Sequence, residues 1–130
     1  MQLFRSKPKY PYLLKEKLDL IDFAFNKFGF SSFADLGGVW RVEGGYTFDT
    51  IEKHKVAKAF LVDTHPTQTV INTAKNFPQL NLIRGNFGDE KTVREVGEVD
   101  AIFLFDVLLH QVARRFTGPK ARNFYVLKVP

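Results

Sequence analysis

Two periods of hydrophobic positions run along the chain. From about Leu13 to Phe28, the apolar residues Leu14, Leu18, Ile21, Phe25 and Phe28 recur at spacings of three and four. This predicts an amphipathic helix, ended by Gly29. Four short apolar runs follow, at 33–36, 59–62, 80–83 and 101–105, each of strand length. The last of them, AIFLF, is apolar throughout, as expected of a strand covered on both faces. Helices are predicted over 46–55, from Thr64 or Thr67 to about Asn76, and over 90–96. Pro66 suits the first turn of the second of these, and Pro78 breaks it. Residues 107–116 predict another helix, Gly118-Pro119 a turn, and 124–129 a final strand. Residues 1–11 contain Pro8 and Pro11 among Lys and Tyr and read as an irregular arm.

Strands alternating with helices over short links predict one α/β domain spanning 1–130. The expected architecture is a Rossmann-like three-layer sandwich on a mostly parallel sheet of about five strands, with right-handed crossovers. In open sheets of this kind, ligands lie beyond the carboxyl ends of the strands. Those ends supply Asp35-Leu36-Gly37-Gly38, Asp63-Thr64, Gly85-Asn86-Phe87 and Asp106. Each segment is weak alone; four unconnected segments placing acids and glycines on one rim make the argument.

Composition changes this picture only slightly. The 45% hydrophobic and 25% charged content is that of an ordinary globular protein, and the 14 Phe point to an aromatic-rich core. The absence of Cys excludes disulfides, thiolate nucleophiles and Cys-based zinc sites, and fits a reducing compartment. No apolar stretch approaches a membrane span, and MQLFRSKPKY lacks the apolar region of a signal peptide, so a cytoplasmic protein is expected. The net charge of +5 is uneven: residues 107–130 hold five basic groups and no acid. Basic ends would suit a polyanion, but no aromatic–basic alternation of the kind that stacks bases accompanies them.

FADLGG, FLVD, IRGNFGD and VDAIFLFDVLLH, in that order, resemble the class I S-adenosylmethionine-dependent methyltransferases over roughly residues 30–112. The resemblance implies a mostly parallel sheet with helices on both faces and transfer of a sulfonium methyl group to a nucleophile. Carried over position by position, it places Asp35, Gly37 and Gly38 against the methionine part of the cofactor. It places Asp63, with Thr64, at the ribose hydroxyls, and Asn86 and Phe87 at the adenine. Asp106 would face the transferred methyl group or the cofactor's amino group. The glycine pattern departs from the family's G-x-G-x-G, because Val39 and Arg41 stand where glycines are usual and Gly44-Gly45 come later. This predicts an expanded first loop with Gly44-Gly45 opening the next helix. The same departure counts against a pyrophosphate cradle, which needs G-x-G-x-x-G. Beyond Val112 the family continues with a longer helix, a fifth strand and an antiparallel pair. ARRFTGPKARNFYVLKVP leaves room for about one strand, so a short or altered end is expected, with an uncovered edge through which two copies would pair.

Asp106 and His110 are four residues apart at a predicted helix start, which would set both on one face as a general base and its neighbour. His54, between Lys53 and Lys55, reads as a surface residue, and His65 stands beside Asp63. Trp40 sits in the first loop, as a cover for the cofactor or a plug onto the core. The three scattered His give no metal-ligand spacing, so no metal is expected, and there is no G-x-S-x-G turn. The expected function is S-adenosylmethionine-dependent methylation of a small molecule. The alternatives are a non-catalytic cofactor-binding or dimerising module, a nucleic-acid methyltransferase acting through the basic ends, and an NAD-binding protein in which Arg41 touches a phosphate.

Overall fold

Each apolar run of the sequence forms a strand, because short runs rich in Phe, Ile, Val and Leu pack well on a pleated, covered surface. The protein, a computed structural model, is described over residues 9, 10, 12–39 and 41–105, and for the backbone of 124–128. Its elements run α1 (Lys15–Phe28), β1 (Ser32–Leu36), α2 (Gly45–Lys53), β2 (Lys58–Asp63), α3 (Gln68–Ala74), β3 (Leu80–Arg84), α4 (Glu90–Val96), β4 (Ala101–Phe105) and β5 (Phe124–Lys128). The sheet order is β3-β2-β1-β4-β5. The first four strands are parallel and β5 is antiparallel to β4. The expected Rossmann-like α/β fold with a mostly parallel sheet of about five strands is therefore the observed one.

Strand alternation sorts the core into two faces. Phe33, Ala59, Ala101 and Phe103 pack with α1 and with Tyr46 and Ile51 of α2, while Leu61 packs with Phe48 and with Val70 of α3. On the other face Ala34, Phe60, Val62 and Ile83 meet Val96 of α4. The phenylalanines form the expected aromatic core: the Phe33 ring stacks on Phe103 at 4.5 Å, and Phe25 meets Phe30 edge-on at 5.3 Å. At the amino ends of the strands, Ser31 donates its N–H to Asp100 Oδ2 at 2.8 Å, and Asp100 donates its N–H to Ser32 Oγ at 2.9 Å. These bonds register β1 against β4, and the donated amide holds the Asp100 carboxyl below its ordinary range.

Helix ends follow the sequence closely. Gly29, with φ 63°, ends α1, and its N–H bonds the Phe25 carbonyl at 2.8 Å. Thr67 rather than Thr64 caps α3, accepting from the Val70 N–H at 3.2 Å. The third helix stops at Ala74, short of Asn76, and α2 covers 45–53 rather than 46–55. Two expectations need correction. The buried stripe of α1 is Lys17, Ile21, Ala24 and Phe25, whereas Leu14 and Phe28 are exposed. His54 is not a surface residue: it is half-buried, stacked on Phe25 at 4.8 Å, with Nε2 2.9 Å from Asp22 Oδ1. It closes α2 onto α1. No helix among the described residues is long and apolar enough to cross a membrane. Asp106, His110, Trp40, the predicted helix at 107–116 and the Gly118-Pro119 turn lie outside the described residues.

Candidate functional site

β1 ends in Asp35-Leu36, and alternation turns the Asp35 side chain to the face covered by α1 and α2. The side chain is buried, with 1% of its surface exposed, and Thr47 Oγ1 of α2 donates to its Oδ2 at 2.7 Å. Burial pushes its carboxyl up to about 7, with the nearby Asp63 adding to the rise; the Thr47 hydrogen bond and the Lys17 charge offset only part of it. The chain then leaves the strand through Gly37, with φ 76°, whose N–H bonds the Val62 carbonyl at 2.7 Å. Gly38 passes directly over the carboxylate: a Cβ there would lie 2.4 Å from Asp35 Oδ2. Only glycine fits.

From there the loop winds tightly. Glu43 donates its N–H to the Val39 carbonyl at 2.7 Å, and Gly44 donates to the Gly38 carbonyl at 3.0 Å. Arg41 and Glu43 hold positive φ of 66° and 50°, a region that side chains other than glycine enter at a cost. Gly44, with φ 74°, stands at the helix N-cap and Gly45 opens α2, as the sequence predicted. The expanded loop is a closed, over-determined structure rather than an open cradle.

Asp63, at the tip of β2, fastens this loop to the neighbouring strand. Its Oδ2 accepts from the Val39 N–H at 3.2 Å and its Oδ1 from the His65 N–H at 3.0 Å. Each oxygen keeps one lone-pair direction for a further donor, as a ribose hydroxyl requires. Thr64 is exposed, with its Oγ1 2.9 Å from His65 Nδ1. Thr67 Oγ1 donates to Glu43 Oε2, which ties the same loop to the start of α3.

The third rim segment is different. Asn86 is exposed and accepts from the Gly88 N–H at 2.8 Å through its own Oδ1. This is a local turn that side chains of this type make anywhere. Phe87 packs against the Ala34, Phe60, Val62 and Ile83 cluster, on the sheet face opposite Asp35. Asp35, Gly37, Gly38 and Asp63 are thus brought together by the fold, Asn86 lies at the same edge without a link to them, and Phe87 serves the core.

No family model, no curated protein and no solved structure matches this chain. The reading of the site rests on its own geometry. Among the described residues no group of three or more His, Asp or Glu is placed to hold a metal ion. An open cavity of about 480 Å³ lined by Lys9, Tyr10, Glu52, Thr73, Asn76 and Phe77 lies beside α2 and α3, and none of the rim residues lines it.

The sequence reading passed over one buried charge near this edge, Lys17. Its side chain is buried at 5% exposure in the stripe of α1, and its Nζ lies 5.5 Å from the centroids of both Tyr46 and Phe105. The signal was available. Lys17 precedes Ile21 by one helical turn, on the face whose apolar pattern predicted burial, so its charge needed partners.

Proposed function

We propose that this chain is a methyltransferase domain that binds S-adenosylmethionine and transfers its methyl group to a small molecule by in-line displacement. The observation that carries the proposal is the buried Asp35 carboxylate beneath Gly38, held beside Asp63 at the carboxyl ends of adjacent strands. Asp35 beneath Gly38 and Asp63 on the Val39 N–H, in a tightly wound glycine loop, leave no open amide cradle for the pyrophosphate of a dinucleotide, which needs free backbone amides at a helix N-terminus. They favour a ligand carrying positive charge, and S-adenosylmethionine brings a sulfonium and an ammonium. The position agrees: β1 and β4 are the neighbouring strands at which the strand order reverses, the place where open α/β sheets take ligands.

Asp63 would accept the ribose hydroxyls with its remaining lone pairs while it holds Val39 and His65. The protein's contribution to the transfer would be orientation and a fitted pocket, with the reactive group supplied by the cofactor. Isothermal titration calorimetry with S-adenosylmethionine, S-adenosylhomocysteine and NAD tests the assignment. Binding of both sulfur compounds and not NAD, weakened in Asp63→Ala, is the expected result. Binding of NAD with neither sulfur compound would overturn it.

A further inference from the structure

The open cavity beside α2 and α3 has a make-up that narrows what could enter it. The last turn of α2 supplies Glu52, the last turn of α3 supplies Thr73, and Asn76 and Phe77 follow just after. Lys9 and Tyr10, ahead of α1, close the remaining side. The aromatic wall is anchored in the core, because Tyr10 and Phe77 both pack on the buried Phe48 ring, with centroids at 5.8 and 5.1 Å. At about 480 Å³ the cavity has the size of a small-molecule site. Its polar groups are unevenly matched. Glu52 Oε1 accepts twice, from Lys9 Nζ at 2.8 Å and from Tyr10 Oη at 2.5 Å, while Oε2 bonds nothing among the described residues. Burial, the bond to Glu52 and the charges of Glu52 and Asp49 hold the Tyr10 phenol above its ordinary range. It therefore keeps its proton on Glu52 and offers its lone pairs as acceptors. Thr73 Oγ1 likewise donates its hydrogen to the Thr69 carbonyl, at 2.9 Å. The acceptors left over call for a ligand that donates.

Lys9 shows which donor fits. Its ammonium lies on Glu52 and 5.7 Å from the Tyr10 ring centroid, so a carboxylate and a ring face receive one cation together. Yet its side chain is 70% exposed, and exposed ion pairs add little to stability, so it leaves at small cost. Lys53, the other cation of that turn of α2, pairs with Asp22 and Asp49 instead. We propose that the cavity binds a small primary alkylammonium, whose charged end takes the place of Lys9 Nζ on Glu52 and Tyr10 while its hydrocarbon stem lies along Phe77. Charge and hydrogen bonding select this ligand. An anion would be repelled by Glu52 and by Asp49, which stands one turn earlier on the same helix. A quaternary ammonium would keep the ring contact but bring no N–H for Glu52 Oε2. The cavity shares no residue with the Asp35–Asp63 rim, so the inference does not depend on the S-adenosylmethionine reading.

Butylammonium and butanol, its neutral counterpart of like size, separate charge from shape. Amide NMR titration at low salt should show shifts at Lys9, Tyr10 and Glu52 and from Thr73 to Phe77. The amine should bind more tightly than the alcohol by about tenfold or more, the size of a charge-assisted hydrogen bond. Glu52→Gln should bring that ratio near one. Lys9→Ala, which vacates the place, should tighten the amine and leave the alcohol unchanged. Both substitutions fall at exposed positions, and the amide spectrum itself reports that each variant is folded. The proposal is overturned by any of four results: no amine shifts at these residues, a wild-type ratio near one, a ratio that survives Glu52→Gln, or amine binding no tighter in Lys9→Ala. Shifts confined to Gly37, Gly38 and Asp63 would place the amine at the rim and also overturn it.

Discussion

The turn after β1 and the turn after β3 lie at the same edge of the sheet, and each sets a glycine against a side-chain oxygen. After β3, Asn86 closes its own turn onto Gly88, in solvent, and nothing distant depends on it. After β1, the acceptor is a buried carboxylate bonded to α2, covered by the loop's own backbone, and influenced by charges from α1 and β2. The lesson is that similar local chemistry becomes a buried, cross-linked cluster or remains a turn according to what the fold stacks on it. Burial raises the energetic stake of each polar atom, so the β1 half of the rim is preorganised and the β3 half is replaceable.

The contrast is sharpest in its dependence on pH. Asp35 titrates near 3.8 in the unfolded chain and about 7 in the folded protein, so the folded state binds the extra proton between those values. Its contribution to stability is present below about pH 4 and is lost as pH rises through 7, up to about 4 kcal/mol in all. Asp35→Asn should lack this loss. Denaturant unfolding of both proteins from pH 4 to pH 8 should show the variant gaining on the wild type as pH rises, and parallel profiles would break the comparison.

Gly38→Ala is next in size. Its Cβ must displace the Asp35 carboxylate from its place against Thr47, at a cost of about 2–4 kcal/mol. The same change at Gly88, where a Cβ would lie 3.3 Å from the exposed Asn86 Oδ1, should cost less than about 0.5 kcal/mol. Equal shifts in the unfolding midpoint would show that burial does not separate the two turns. Asp63→Asn against Asn86→Ala gives the smallest effects. An Asn amide cannot accept from both Val39 and His65, so one N–H loses its partner and about 1–3 kcal/mol is lost. Losing the exposed Asn86–Gly88 bond should cost about 1 kcal/mol or less. Amide hydrogen exchange should report the first as faster exchange at Val39 or His65, and the second only at Gly88.

Much of this was legible in the chain. AIFLF is a strand as its apolar run predicted, buried at Ala101 and Phe103 and half-buried at Ile102, Leu104 and Phe105; Gly29 closes α1, and Gly44, with φ 74°, opens α2 with Gly45. The rim residues Asp35, Gly37, Gly38 and Asp63 were found by the same local grammar. His54 and Lys17 were misjudged or missed because each is polar by type and buried by circumstance. His54 is covered by Phe25, a residue of another helix, and Lys17 by Tyr46 and Phe105, distant in sequence.

The sequence by itself determined the order of elements, the parallel sheet and which residues reach its carboxyl edge, since periodicity, capping and glycine conformations act over a few residues. The tertiary structure alone decided which of those residues interact. Placing β4 beside β1 brought Phe105 to Lys17 and Tyr46, packing α2 on the sheet brought Thr47 to Asp35, and Asp63 on β2 holds the loop that follows. The reason is physical: a carboxylate's charge state and partners depend on what excludes water from it, and here those atoms come from four separate segments of the chain.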